Sequence, residues 1–309
     1  VQILLDSALD PVLDRLEAEA VGSSDDAAAG LLTVTVIDPA CGSGHFLLAA
    51  ARRIATRVAR LRANGVPTQD DYRRGLRDVV RLCIYGVDRN PMAVELSRVA
   101  LWIETVEPGK PLGFLDVNLR CGDSLLGVFS LDALRHGIPE AAYKPLAGDD
   151  KTVAKLFRAR NKEDLKGQAR LDFSGRPTSL PVPPSLAASA LALRSLPEDT
   201  ERDIEVRSRA FEAMRNSADL TRWFAAADLY ISAFLTAKVR PSLEATPNQE
   251  FPGQPLVPVT SHVWHKLAGG QIYGPLLGAA QTLSSKAHVF HWPLEFPHIF
   301  FAEAAGRKG

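Results

Sequence analysis

The chain has 309 residues, with 36 Lys and Arg against 36 Asp and Glu, 46% hydrophobic and 23% charged residues. Those values fit one large α/β domain, or a domain with a sizeable insertion, and exclude a disordered or fibrous chain. They also exclude a strongly basic nucleic-acid-binding module, so any DNA-facing surface must be local or lie outside these residues.

In chain order, Val1 to Leu16 carries apolar residues at helical spacing from its first turn, which reads as a helix already in progress and points to a fragment of a longer protein. Leu31 to Ile37 is β-branched and apolar, as expected of a strand buried on both faces of a parallel sheet. It runs into the turn Asp38-Pro39-Ala40-Cys41-Gly42-Ser43-Gly44. A helix follows in which Phe46, Leu47, Ala50, Ile54, Val58 and Leu61 share one face. Arg52, Arg53, Arg57, Arg60 and Arg62 decorate the rest of it, as a solvated surface rather than a DNA contact.

Asn64 to Pro67 closes that helix, and Thr68 with Asp71 forms a capping box for another through Arg81. Leu82 to Val87 is a second strand, ending at Asp88-Arg89-Asn90-Pro91, where Asn90 is an N-cap and Pro91 opens the next helix. A short third strand around Leu115 to Leu119 ends at Cys121-Gly122-Asp123-Ser124-Leu125. Strand, loop and helix in alternation predict a doubly wound parallel sheet with a ligand across the carboxyl ends of its strands.

Beyond Gly127 the alternation stops. Leu171 to Pro197 is rich in Pro and Ser, with Pro177, Pro181, Pro183 and Pro184 opposing a long helix. Glu198 to Arg215 and Leu220 to Val239 read as helices. A second Pro/Gly-rich stretch, Pro241 to Pro258, precedes short helical pieces near His262 to Leu267 and Pro275 to Ser284. Three visible strands fall short of the usual five or six, about the mean for a sheet, so the sheet is expected to be incomplete. The expected organisation is a core over 1–127, a mainly helical insertion over 128–290 and a terminal segment over 291–309.

Three ligand chemistries suit a glycine turn of this kind. A dinucleotide fingerprint needs glycine where Leu47 stands and an acid about 20 residues further on, whereas the next strand-end acid, Asp88, is much farther away. A phosphate-gripping loop needs Gly-Lys-Ser/Thr, and Gly44 is followed by His45 and Phe46. S-adenosylmethionine carries no phosphate. It needs room for its amino acid part, an acceptor for two ribose hydroxyls and a polar clamp for adenine. Asp88 suits the hydroxyls, each charge-assisted bond contributing about 1.5–3 kcal/mol. Asp123 suits the adenine amino group and Asp38 the methionine ammonium.

The segments Asp38 to Leu47, Tyr85 to Pro91 and Cys121 to Leu125 together resemble the three cofactor motifs of the gamma-type adenine-N6 DNA methyltransferases of restriction-modification and phage-defence systems. The resemblance covers roughly the first 130 residues. It implies a Rossmann-like class I methyltransferase fold and S-adenosylmethionine as cofactor. It carries cofactor binding over to Asp38, Pro39, Ala40, Cys41, Gly42, Ser43, Gly44, His45 and Phe46, to Asp88, Arg89 and Asn90, and to Asp123, Ser124 and Leu125. Ala227 to Tyr230 and His291 to Pro297 resemble segments that precede the family's catalytic Asn/Asp-Pro-Pro-aromatic motif. That motif is absent: Pro183-Pro184 follows Val182, and Asn90-Pro91 is followed by Met92. No residue here is assigned to catalysis. In the family that motif clamps an adenine flipped from the duplex. The resemblance thus implies DNA as a partner of the whole protein, with defence-system subunits or a fused nuclease as further partners. Methyltransferases acting on RNA or protein, and a non-catalytic cofactor-binding or scaffold module, are the alternatives.

Cys41, Cys83 and Cys121 contain no C-x-x-C pair and read as free cysteines of a cytoplasmic protein. His262 with His265, and His288 with His291, lack a third ligand at sensible spacing, so no metal site is expected. His45 suits either the pocket or a packing role, and Trp102 and Trp223 are expected in the core. No apolar run reaches the length of a membrane span.

Overall fold

The computed structural model describes residues 1–20, 23–63, 65–171, 184–239 and 256–300. These form two compact units, one of residues 1–124 and 189–213, the other of 125–188 and 214–309. Asn64, the prolines between 172 and 183, most of the second Pro/Gly-rich stretch and the end of the terminal segment lie outside the described residues.

The first unit opens with α1 (Gln2–Leu4), a π-helical turn over Leu5–Leu9 and α2 (Asp10–Glu19), so the expected helix runs on past Leu16. Pro11 in the first turn of α2 donates no N–H, and the ladder shifts to the wider π register just before it. A capping box between Ser23 and Asp26 then starts α3 (Ser24–Leu31). Leu31 is therefore the end of a helix and not the start of a strand. Both the N–H and the hydroxyl of Thr33 donate to the Gly30 carbonyl, and the extended backbone is confined to β1 (Val36–Asp38).

Helix α4 (His45–Ala63) places Leu47, Ala50, Ala51, Ile54, Ala55 and Val58 in the core at the expected spacing. Helix α5 (Gln69–Cys83) begins at the expected Thr68–Asp71 capping box, with the Thr68 N–H donating to Asp71 Oδ2 at 2.9 Å. It continues two residues into the segment expected as strand, so β2 is Ile84–Asp88. Asn90 caps α6 (Pro91–Glu104) by accepting from the Met92 N–H at 3.0 Å. In α6, Val94, Ser97 and Leu101 are buried. Met92, Leu96, Val99 and Ile103 form an exposed apolar row. Leu115 and Val117, expected in the third strand, are buried from a 3-10 turn, and the third strand, β3, is Leu119–Cys121.

The sheet is parallel with strand order β1-β2-β3, and Asp38 lies opposite Gly86 while Asp88 lies opposite Cys121. All three strands therefore finish on one edge. Each arginine named on α4 has an acidic partner: Arg52 pairs with Glu104, Arg53 with Asp6 and Asp10, Arg57 with Asp10, Asp14 and Glu17, Arg60 with Glu17, and Arg62 with Asp78. They fasten α4 to its neighbours, where exposed pairs contribute about 0–1 kcal/mol each. Trp102 is half-buried and its indole N–H donates to the Gly113 carbonyl at 2.8 Å. The helix Pro184–Ser195 begins at the last of the four prolines, a favoured first position.

The second unit is helical in its described residues. It includes Lys151–Leu171, Ala218–Leu235, Thr260–Leu267 and Gly274–Lys286, with Trp223 buried at its centre. Asn161 is fully buried and satisfied: Oδ1 accepts from the Thr260 N–H at 2.9 Å and from its hydroxyl at 2.7 Å, and Nδ2 donates to the Ile138 carbonyl at 2.7 Å. His291 is also buried. Its Nδ1 accepts from the Val128 N–H at 3.2 Å, so Nε2 carries the proton that faces Asp228 Oδ1 at 3.2 Å.

Gly86 in β2 is closely packed. A Cβ there would lie 2.8 Å from Leu47 Cδ1, 2.9 Å from Leu119 Cδ2 and 3.1 Å from Cys41 Cβ. Gly86→Ala is expected to lower unfolding stability by about 1–3 kcal/mol through overpacking. Gly30→Ala, where nothing lies within 4 Å of the added carbon, is expected to raise it by up to about 1 kcal/mol. Urea unfolding of the two variants beside the parent checks both signs.

Candidate functional site

The three loops at the carboxyl edge of the sheet are tied together by backbone groups and one carboxylate. The Cys41 N–H donates to the Val87 carbonyl at 2.9 Å, and the Gly122 N–H to the Asp88 carbonyl at 2.9 Å. Asp88 Oδ2 accepts from the Gly42 N–H at 2.9 Å, and Oδ1 from the Asn90 N–H at 2.8 Å. A single residue thereby touches all three loops. Two N–H donors occupy about half of the lone-pair directions of a carboxylate, and Asp88 is only half-buried, so acceptor capacity remains toward solvent.

The first loop keeps its shape by backbone torsion. Asp38 Oδ1 accepts from the Ala40 N–H at 3.0 Å, and the Gly44 N–H donates to the Cys41 carbonyl at 2.8 Å. Gly42 and Gly44 have φ of +54° and +83°, which glycine adopts without the cost a side chain would bring. A Cβ on Gly44 would sit 2.5 Å from the hydroxyl of Ser97, a fully buried residue of α6. Ser43 Oγ and His45 Nδ1 are hydrogen-bonded at 3.0 Å, both exposed, while Phe46 is half-buried against the core. Pro39 and Ala40 are exposed.

On the second loop Arg89 and Asn90 are exposed. Arg89 reaches across to the third loop, its Nη1 lying 3.6 Å from Asp123 Oδ2. Asp123 and Ser124 are half-buried, and Leu125, 85% exposed, begins the second unit. Every site residue read from the sequence up to Ser124 thus falls on this one edge. Two contributors escaped that reading, Gly86 and Ser97, whose role is to let the first loop sit close to the sheet and to α6. For Gly86 there was a signal: a glycine inside an apolar strand marks a close approach.

The edge is acidic and offers acceptors. Burial pushes the Cys41 thiol up to about 11, with the carboxylates of Asp88 and Asp38 adding to it and the Ser97 hydroxyl opposing. Burial likewise holds Cys83 at about 12, opposed by Arg194. Neither is a nucleophile near neutral pH. Among the described residues no group of three or more His, Cys, Asp or Glu is placed to hold a metal ion. His262 Nδ1 accepts from the Val259 N–H at 3.1 Å, a capping contact.

Residues 30–125 match the family of N-6 DNA methylases. Over 103 residues the chain is 32% identical to a putative type II restriction enzyme and methyltransferase of Methanocaldococcus jannaschii, covering 30% of this chain and 9% of that protein. Over 108 residues it is 35% identical to the adenine-specific methyltransferase PglX of Streptomyces coelicolor, covering 31% of this chain and 8% of that protein. The chain therefore spans less than a tenth of the length of these curated relatives in the matched stretch. No solved structure matches. The resemblance carried by the three motifs is borne out over residues 30–125. Among the described residues, no helix is long and apolar enough to cross a membrane.

The buried thiols set an alkaline limit. Both bind their protons more tightly folded than unfolded, so their contribution is complete below about pH 9 and is lost as pH rises toward 11 and 12. The urea midpoint is expected to fall across that window. At pH 8 a disulfide-exchange reagent should label the exposed Cys121 in the folded chain, and Cys41 and Cys83 only after denaturant is added.

Proposed function

We propose that this chain is the cofactor-binding part of an S-adenosylmethionine-dependent DNA methyltransferase that modifies adenine at N6. The observation that carries the reading is the Asp88 carboxylate, which is oriented by the Gly42 and Asn90 N–H groups and still half-open to a ligand. The residues suit the cofactor in kind. Nothing on this edge is a lysine poised for a phosphate, and the glycine turn leaves a side-chain-free approach.

In this reading Asp88 accepts from both ribose hydroxyls and Asp123 from the adenine amino group, with Arg89 holding Asp123 in place. Asp38 orients the methionine ammonium, directly or through water. Gly42 to His45 present main chain to the amino acid part, while Ser124 and Leu125 flank the adenine. When bound, the cofactor supplies an electrophilic methyl group. The chain's own contribution is to hold it in one orientation, which is where most of the rate enhancement of such a transfer arises. Residues 1–127 carry the cofactor motifs, 128–290 are the mainly helical insertion, of which 189–213 belongs to the first compact unit, and 291–309 lead toward the base clamp. DNA is the substrate of the whole protein, in the cytoplasm, and this chain alone transfers little or nothing. The family match over residues 30–125 and the two relatives' names support this assignment.

Titration calorimetry with S-adenosylmethionine on the folded chain is expected to show one site. Asp88→Ala should weaken binding at least tenfold, in keeping with two lost charge-assisted bonds of about 1.5–3 kcal/mol each. Asp123→Asn, which keeps the side chain's size and removes its charge, should weaken it several-fold. A folded sample that takes up no cofactor, or variants that bind as the parent does, overturns the assignment.

A further inference from the structure

At the other end of β2 from Asp88 lies a cavity of about 340 Å³ within the first unit, in the range of small-ligand sites, about 300–1,000 Å³. None of the residues lining it belongs to the three loops of the carboxyl edge, so this is a separate place from the cofactor edge. Its walls come from Arg62 of α4, from the charged face of α5, from the loop after α6 and from Ser195 to Asp199. On α5, Arg74, Arg77, Asp78 and Arg81 recur at spacings of three and four residues, while Leu76, Val79, Val80 and Cys83 face the core.

The charges do not cancel. Asp78 is met by Arg62 at 2.8 Å and Arg81 at 3.4 Å. Lys110 serves both Glu107 at 3.3 Å and Asp199 at 2.9 Å. Glu198 is met by Arg207 at 3.0 Å, a buried residue that does not line the cavity. Neither Arg74 nor Arg77 makes a direct ion pair with a carboxylate; Asp71 attracts Arg74, and Glu198 and Asp199 attract Arg77, from a greater distance. Arg74 is exposed, but Arg77 is 8% exposed, and its one hydrogen bond described here, from Nη2, goes to the Glu198 carbonyl at 2.6 Å. A guanidinium that far from water is costly unless its N–H groups are met, and the two carboxylates that attract Arg77 are already paired with Arg207 and Lys110. The cavity gives it room for a further anion.

We infer that this cavity is a binding site for a small phosphate-bearing anion, held by Arg77 at its base and Arg74 at its mouth, with Arg62 and Arg81 alongside. Guanidinium forks match phosphate oxygens in pairs, and the lining carries five cations against four carboxylates. A small anion suits the site better than a nucleic-acid backbone because Arg77 sits deep in a cavity and not on a ridge. The inference is independent of the cofactor reading.

The probe is inorganic pyrophosphate, titrated calorimetrically into the whole chain at low chloride. One saturable site is expected. Arg77→Gln should weaken it at least tenfold. Because Arg77 is buried and that variant can lose stability, Arg74→Gln provides a second reading on an exposed side chain, expected to weaken binding at least threefold. Arg209→Gln, on an exposed helix face away from the cavity, should bind as the parent does. Absence of binding by a folded sample overturns the proposal, as does binding that neither Arg74→Gln nor Arg77→Gln weakens. Uptake of a duplex DNA, but not of pyrophosphate, through these arginines also overturns it and assigns the cavity to the nucleic acid.

Discussion

Asp88 holds the molecule's functional edge together by accepting three N–H bonds from three loops: Gly42 and Asn90 on its carboxylate and Gly122 on its carbonyl. Charge-assisted bonds of this kind are among the stronger ones in a protein, and their donors are main-chain groups that cannot rotate away. The loop shapes follow from that constraint. Gly42 takes positive φ as its N–H meets the carboxylate, Asn90 both donates to it and caps α6, and Gly122 starts the turn that leads to Asp123. A site organised before its ligand arrives spends less binding free energy on ordering loops.

The fold delivers Asp88 to that position by packing from below. Gly86, two residues earlier, has no side chain, and Leu47, Leu119 and Cys41 close over it. The strand can then lie near the start of α4, which brings the glycine turn within hydrogen-bonding distance of Asp88. The outer face of α4 meanwhile serves the same end by another route. Its arginines reach Asp6, Asp10, Asp14 and Glu17 and so anchor the N-terminal helices over the core. Charge that is neutral in sum is therefore far from idle locally.

How much of this was legible depended on whether a signal was local. The Thr68–Asp71 capping box, the Asn90 cap with Pro91, and the helical face of α4 were each readable because short-range geometry decides them. The first strand was misjudged for the same reason. Leu31 to Ile37 has strand composition, yet the Ser23–Asp26 box had already started a helix that runs through Leu31. That box was visible in the sequence and outranked the β-branched run. Leu115 to Val117 shows the opposite limit: three residues with strand composition satisfy a 3-10 turn as well as a strand. The residues gathered on the carboxyl edge up to Ser124 were legible because motif order and strand ends coincide. Ser97 and the arginine cluster around Arg77 lie beyond that reach, because each depends on which distant elements face it.

The central claim is that Asp88, held by the loops it ties, is the acceptor for a nucleoside's ribose. A crystal structure of the chain with S-adenosylhomocysteine tests it directly. The account predicts both ribose hydroxyls donating to the Asp88 carboxylate while the Gly42 N–H bond persists. A nucleoside bound elsewhere, or a carboxylate turned away from it, would contradict the account.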